Sequence, residues 1–189
     1  MKDILSEAIA FSAAAHDGMR RRSSDAPYIL HPMEVGVIVG TMTADQNVIA
    51  AALLHDVVED AGVTMDEVEQ RFGSRVRELV ASETENKREE LPPEATWKIR
   101  KSESLEKLRA TEDIDVLRLW LGDKLSNIRA IWRDYLLVGN ALWEKFHQSD
   151  VKEQAWYYRS IMKYTERLSD TVAWAEYRAL TEKIFGVEE

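Results

Sequence analysis

A chain of 189 residues, 45% hydrophobic and 31% charged, can build one domain with a real core but is short for two. It has no cysteine, which excludes disulfides, zinc–thiolate sites and a cysteine nucleophile. A net charge of −9 argues against general nucleic-acid binding, which needs a basic surface to displace counterions. A small phosphate ester stays open as a partner, because a metal ion and a few arginines can reverse the field inside one pocket.

No apolar run approaches the length that crosses a membrane. The opening Met1-Lys2-Asp3-Ile4-Leu5-Ser6-Glu7 carries an early acid and no long apolar core, so no secretory signal is expected and the cytoplasm is the expected location.

Helical spacing of apolar residues runs through most of the chain, and strand-like alternation is almost absent. Ile4, Ala8, Phe11 and Ala15 form a first stripe. Met33, Val37, Val39 and Met42 belong to a second helix, with Pro32 in its first turn. Asp45 to about Asp60 reads as one very apolar helix. Thr64-Met65-Asp66-Glu67 is a capping box, opening a short helix that stops at Gly73. Ser74 is expected to cap the next, through about Thr84. Glu85 to Thr96, with Pro92-Pro93, reads as a loop.

A helix with Trp97, Ile99, Leu105 and Leu108 follows, and Lys98, Arg100 and Lys101 read as its exposed face, with phosphate contact the lesser alternative. Ile114 to about Tyr135 is another helix. Val138 to Phe185 reads as two helices rich in aromatics, which either close the core or form a homo-oligomer interface. The expectation is an all-α chain forming one domain over residues 1–189, with a motif-bearing core at about 8–132 and C-terminal helices at 138–185 packed on it.

Chemistry concentrates in Leu53-Leu54-His55-Asp56-Val57-Val58-Glu59-Asp60. A core helix that ends in histidine and acids needs a reason, since burying charge is costly unless it is paired or bound to metal. On a continuous helix, His55 and Glu59 would share one face and Asp56 and Asp60 the adjacent one. An imidazole beside a carboxylate suits Mn²⁺, Fe²⁺, Co²⁺, Ni²⁺ or Zn²⁺. Further ligands are scarce, because the chain has 4 histidines. His31, just before a helix, and Asp123, inside an otherwise apolar one, are the candidates, and Asn127 lies one turn after Asp123. His16 reads as a packed or capping histidine and His147 as surface.

These residues resemble the HD phosphohydrolase superfamily, and more narrowly the hydrolase domain of RelA/SpoT proteins and stand-alone small alarmone hydrolases. Ala15-His16-Asp17-Gly18-Met19-Arg20-Arg21-Arg22 is similar to that family's AHxGQxRK motif. Pro27 to Pro32 is similar to PYIxHP, Ala52 to Asp60 to ALLHDVVED, and Gly122 to Arg129 to ADRLHNMR. The order holds from about residue 8 to residue 132. Met19 replaces the glutamine, Arg22 replaces the usual lysine, and the stretch after Thr84 looks like a distinct branch.

The resemblance implies a helical HD-domain fold and one Mn²⁺ held by His31, His55, Asp56 and Asp123. It implies that Glu59 and Asp60 position or activate water, and that Arg21, Arg22 and Asn127 contact a nucleotide. The implied reaction removes the 3′-pyrophosphate of guanosine tetra- or pentaphosphate, with no synthetase domain expected to follow. Two rivals remain: a phosphatase for another nucleotide or small phosphate ester, and a non-catalytic nucleotide-binding module.

Overall fold

The computed structural model describes residues 3–21, 25–88 and 90–187, and they are all-α. The helices are α1 (Ile4–Ala15), α2 (Leu30–Gly40), α3 (Gln46–Leu54), α4 (Val57–Asp60), α5 (Met65–Phe72), α6 (Ser74–Glu83), α7 (Pro93–Ala110), α8 (Ile114–Val138), α9 (Val151–Tyr164) and α10 (Val172–Phe185). Short 3₁₀ turns cover Gly139–Lys145 and Glu166–Leu168. Among the described residues the one extended pairing is an isolated antiparallel bridge between Arg20 and Pro27.

The core forms in two clusters. Ala8, Val35, Leu54, Val68 and Leu79 belong to one, built mainly by α1, α2, α3, α5 and α6. Trp120, Leu125, Ile128, Ile161 and Tyr177 belong to the other, built mainly by α7 to α10. Helix α8 serves both, with Leu119 in the first and Trp120 and Leu121 in the second. Helix α3 is apolar all round and correspondingly buried. The candidate site lies where α2, α3 and α8 meet.

Two glycines let these helices approach closely. A Cβ on Gly36 would sit 2.7 Å from Leu53 Cδ2, and one on Gly122 would sit 2.6 Å from Val39 Cγ2. Caps begin several helices where the sequence places them. Thr64 and Glu67 form the expected box at α5, and Asp45 and Asp113 accept backbone amides at α3 and α8.

Some details depart from the sequence reading. The segment from Asp45 to Asp60 is two helices, not one, with a break at His55-Asp56. The cause is local: the His55 imidazole takes the Ala52 carbonyl at 2.8 Å, an acceptor that the amide of residue 56 would need to continue the helix. Gly73, at φ +88°, rather than Ser74, precedes α6, and no side chain caps that end. Val37 is 70% exposed, so it lies off the apolar stripe of α2. The aromatics of the final third serve this chain's own core: Trp143, Tyr157, Tyr158 and Tyr177 are buried within it.

Gly122→Val would force α8 away from Val39. The expected loss is about 1–3 kcal/mol of unfolding free energy, measured by urea denaturation. Wild-type stability in that variant would show that the close approach is not required.

Candidate metal centre

His31 enters in the first turn of α2, His55 and Asp56 form the break between α3 and α4, and Asp123 lies inside α8. His31 and His55 are buried at 4% and 3% exposure, and Asp123 at 4%. His31 Nε2 is 3.0 Å from Asp123 Oδ1 and 3.5 Å from Asp56 Oδ2. His55 Nε2 is 3.0 Å from Asp56 Oδ2 and 3.6 Å from Asp123 Oδ1. His31, His55 and Asp123 can present ligand atoms that all lie within 4.8 Å of one another. A transition-metal ion binds nitrogen and oxygen at about 2.0–2.2 Å, which places neighbouring ligands at roughly such separations.

The protons of both imidazoles are aimed away from this point. Ser126 Oγ donates to Glu34 Oε2 at 2.7 Å, so its oxygen accepts from His31 Nδ1 at 2.9 Å. His55 Nδ1 donates to the Ala52 carbonyl. Each Nε2 is then the nitrogen left to act as a ligand, which is how a hydrogen bond on the far nitrogen selects the ligating tautomer. His55 Nε2 is buried with no hydrogen-bond partner. Glu34 and Arg129 extend the His31 support: Arg129 pairs with Glu34 at 3.1 Å and with Glu176 of α10 at 2.6 Å.

The electrostatics also favour a cation. Burial lowers the pKa of His55, but Asp56 and Asp123 override burial and hold it well above the ordinary imidazole range. Burial likewise opposes ionisation of Asp56, yet the imidazoles of His55 and His31 hold it well below the usual carboxylate value. Asp123 is held low by Lys124 and the same imidazoles. A group of carboxylates that draws a proton this strongly onto buried imidazole offers the same attraction to a metal ion.

Four residues that the sequence reading did not assign complete the surroundings. The Tyr28 hydroxyl lies 2.7 Å from Asp56 Oδ2 and 2.8 Å from Asp60 Oδ2, and its single proton serves one of them at a time. Lys87 Nζ donates to the Glu59 carbonyl at 2.8 Å and to Asp60 Oδ1 at 2.6 Å. Lys124 pairs with Asp123 Oδ2. Ser126 holds His31. Tyr28 follows the Arg20–Pro27 bridge, and its amide donates to the Met19 carbonyl at 2.9 Å. The ring of His16 stacks on it at 5.1 Å, so His16 is packed.

Glu59 and Asp60 both border the cluster, but each is engaged. A Glu59 carboxylate oxygen accepts the backbone amide of Glu85. Burial raises the pKa of Glu59, against that hydrogen bond. Asn127 Nδ2 donates to Asp123 Oδ1 at 2.7 Å, and Asn127 Oδ1 accepts from Arg21 at 2.9 Å. Arg22 lies outside the described residues. Arg100 and Lys101 are not an exposed face: both pair with Glu85, at 3.0 and 2.8 Å. A cavity of about 330 Å³ opens beside the cluster, lined by Arg21, Tyr28, Asp60 and Asn127 and, from farther along the chain, by Lys145 and Tyr158.

Residues 8–136 match the family model described as HD domain. The chain belongs to the HD-domain family. HD domains are metal-dependent, and the His/Asp cluster is where this one can bind its ion. Among known relatives, the chain is 37% identical over 130 residues to the GTP pyrophosphokinase rsh of Brucella ovis, an alignment covering 68% of this chain and 17% of that protein. It is 34% identical over 130 residues to the guanosine-3′,5′-bis(diphosphate) 3′-pyrophosphohydrolase of Aquifex aeolicus, covering 68% and 18%. The HD-domain chain thus spans less than a fifth of the length of these relatives. A crystal structure from Listeria monocytogenes EGD-e superposes with a TM-score of 0.72 at 30% identity, covering 83% of this chain and 99% of that one. A metazoan ortholog of SpoT that hydrolyzes ppGpp superposes with a TM-score of 0.77 over 99% of this HD-domain chain and 98% of its own, at 22% identity, which supports the fold alone.

Because Asp56 and Asp123 raise the pKa of His55, protons would compete with a metal ion for its ring, and metal binding there would release them. Below the raised His55 value the proton competes, so apparent affinity for a divalent ion should fall with pH, by about tenfold per unit for each proton displaced. Calorimetry in two buffers of different ionisation enthalpy measures the protons released. An affinity flat between pH 8 and pH 6 would contradict this.

Proposed function

We propose that this chain is a metal-dependent phosphohydrolase that removes the 3′-pyrophosphate of guanosine tetra- and pentaphosphate, working with Mn²⁺ on a soluble nucleotide in the cytoplasm. The observation that carries the reading is the convergence of two imidazole Nε2 atoms and two carboxylates beside a cavity with an arginine on its wall. His31, His55, Asp56 and Asp123 would hold the ion. The name of the Aquifex aeolicus relative supports the choice of substrate.

A divalent ion at such a site, when bound, polarises a phosphate oxygen and makes hydroxide accessible near neutral pH. The chain's own residues supply the rest. Glu59 takes a proton from the attacking water, and its position is fixed by the Glu85 amide. Asp60 orients that water, itself held between Tyr28 and Lys87. Arg21 and Arg22 offset charge on the phosphates, with the guanidinium fork suited to two oxygens at once. Asn127 changes partner from Arg21 to the nucleotide. The water oxygen joins the phosphorus on the ribose O3′, the bond to O3′ breaks, and O3′ takes a proton as pyrophosphate leaves. The net charge of −9 supports a small ligand over nucleic acid.

Mn²⁺-loaded protein should convert guanosine tetraphosphate to GDP and pyrophosphate, followed by chromatography. Asp56→Ala should lose both metal and turnover. Glu59→Gln should keep the metal and lose rate by about 10²–10⁴-fold. If the loaded wild-type protein leaves guanosine tetraphosphate intact but cleaves another nucleotide, the substrate assignment fails and the hydrolase assignment stands. Full activity in Glu59→Gln would remove Glu59 from the proton transfer.

A further inference from the structure

Glu83 is the last residue of α6, and the reaction proposed above does not use it. Both of its carboxylate oxygens are buried without a hydrogen-bond partner. The charges around it are Asp123, Lys124, His55 and Asp56, so it faces the metal cluster from the α6 side.

Burial and most of the neighbouring charge oppose an ionised acid there. Water is excluded from its oxygens. Asp123 and Asp56 repel it. It ends a helix, where the macrodipole is negative and favours cations. Lys124 is the nearby cation, but it donates to Asp123 Oδ2 and makes no hydrogen bond to Glu83. Asp56, Asp123 and Glu83 thus bring three carboxylates to the surroundings of Lys124 and the two imidazoles. A buried polar group with no partner calls for a specific explanation, and a cation at the adjacent cluster supplies it.

We propose that Glu83 is a further carboxylate of the metal centre, acting on a divalent ion held by His31, His55, Asp56 and Asp123, with Lys124 offsetting part of its charge. This rests on the metal-site reading above and goes beyond it by adding an acid from α6 to ligands drawn from α2, the α3–α4 break and α8. Glu83 is a positioning residue in this sense: it strengthens cation retention through charge and does not touch the substrate.

The test uses the full chain, stripped with chelator and titrated with Mn²⁺ alone, with free Mn²⁺ followed by its electron paramagnetic resonance signal. Thermal unfolding of the metal-free and Mn²⁺-saturated protein is recorded in parallel. Glu83→Gln should weaken Mn²⁺ binding by about 10–100-fold, as loss of an outer partner of a metal site does, without lowering the metal-free unfolding midpoint. Glu78→Gln, the same charge change on an exposed residue of α6, should leave affinity within about twofold. If Glu83→Gln does not fold, Glu83→Ala takes its place with the same expectation.

Mn²⁺ affinity in the Glu83 variant within twofold of wild type overturns the proposal. Equal losses in the Glu83 and Glu78 variants also overturn it, since the effect would then be net charge. If the wild-type protein itself takes up no more Mn²⁺ than Asp56→Ala, it is the metal-site reading that fails.

Discussion

Two buried imidazoles must face two carboxylates across the meeting point of three helical segments, and much of the structure serves that requirement. Nitrogen and oxygen atoms from distant parts of the chain lie 3.0–3.6 Å apart in a largely buried region. Carboxylates so placed are tolerated only where positive charge meets them. The helices therefore cannot be loosely packed. Gly36 and Gly122 remove the Cβ atoms that would separate α2 from α3 and α8. An all-round apolar α3 locks the His55-Asp56 break against the core. Packed helices hold such a constellation more firmly than mobile loops would.

The support extends well beyond the ligands. His31 is tied through Ser126 to Glu34, then through Arg129 to Glu176 on α10. The C-terminal helices thus do more than close the second core cluster, since a residue of α10 helps set the imidazole of α2. On the other side, Glu85 gathers Arg100, Lys101 and Ser104 of α7 around its carboxylate while its amide holds Glu59. Burial alone would raise the pKa of Glu85, but Lys101 and its companions hold it below the usual value. The segment after α6, a loop without regular structure, is in this way pinned to a helix through ionic bonds, and it delivers both the Glu59 anchor and Lys87.

Much of this was legible in the sequence, for reasons that differ by element. The helical class followed from apolar periodicity, and the α5 start from one capping box. His55-Asp56 and Asp123 stood out because polar groups interrupting apolar helices are expensive, and His31 because the chain has 4 histidines. Other features were not legible. The break at residue 55 depends on a side chain capturing a backbone carbonyl, which no hydrophobic pattern encodes. Lys87 and Tyr28 meet Asp60 across 27 and 32 residues of sequence, a long-range contact without periodic signature. Arg100 and Lys101 looked like a solvated face because a charge run usually is one; their partner, Glu85, lies 15 and 16 residues earlier in a loop. Glu83 ends an otherwise ordinary amphipathic helix. Its isolation from hydrogen-bond partners is visible only in three dimensions.

Charge balance also orders the events at the site. The protein carries a net −9, and the cluster itself is dominated by acids, so an oligophosphate approaching it meets repulsion first. Arg21 on the cavity wall offers one guanidinium, and it is bound to Asn127. Lys87 and Lys124 are committed to Asp60 and Asp123. A divalent ion changes this arithmetic at short range, where the low dielectric makes each charge count for more. It neutralises the carboxylates, and that weakens their hold on the two lysines. Under the proposed reaction, cation and polyphosphate are therefore thermodynamically linked: each favours the other's binding by the same free energy. On that reading, the acidity that makes the bare site hostile to a polyphosphate would also hold the ion that admits it.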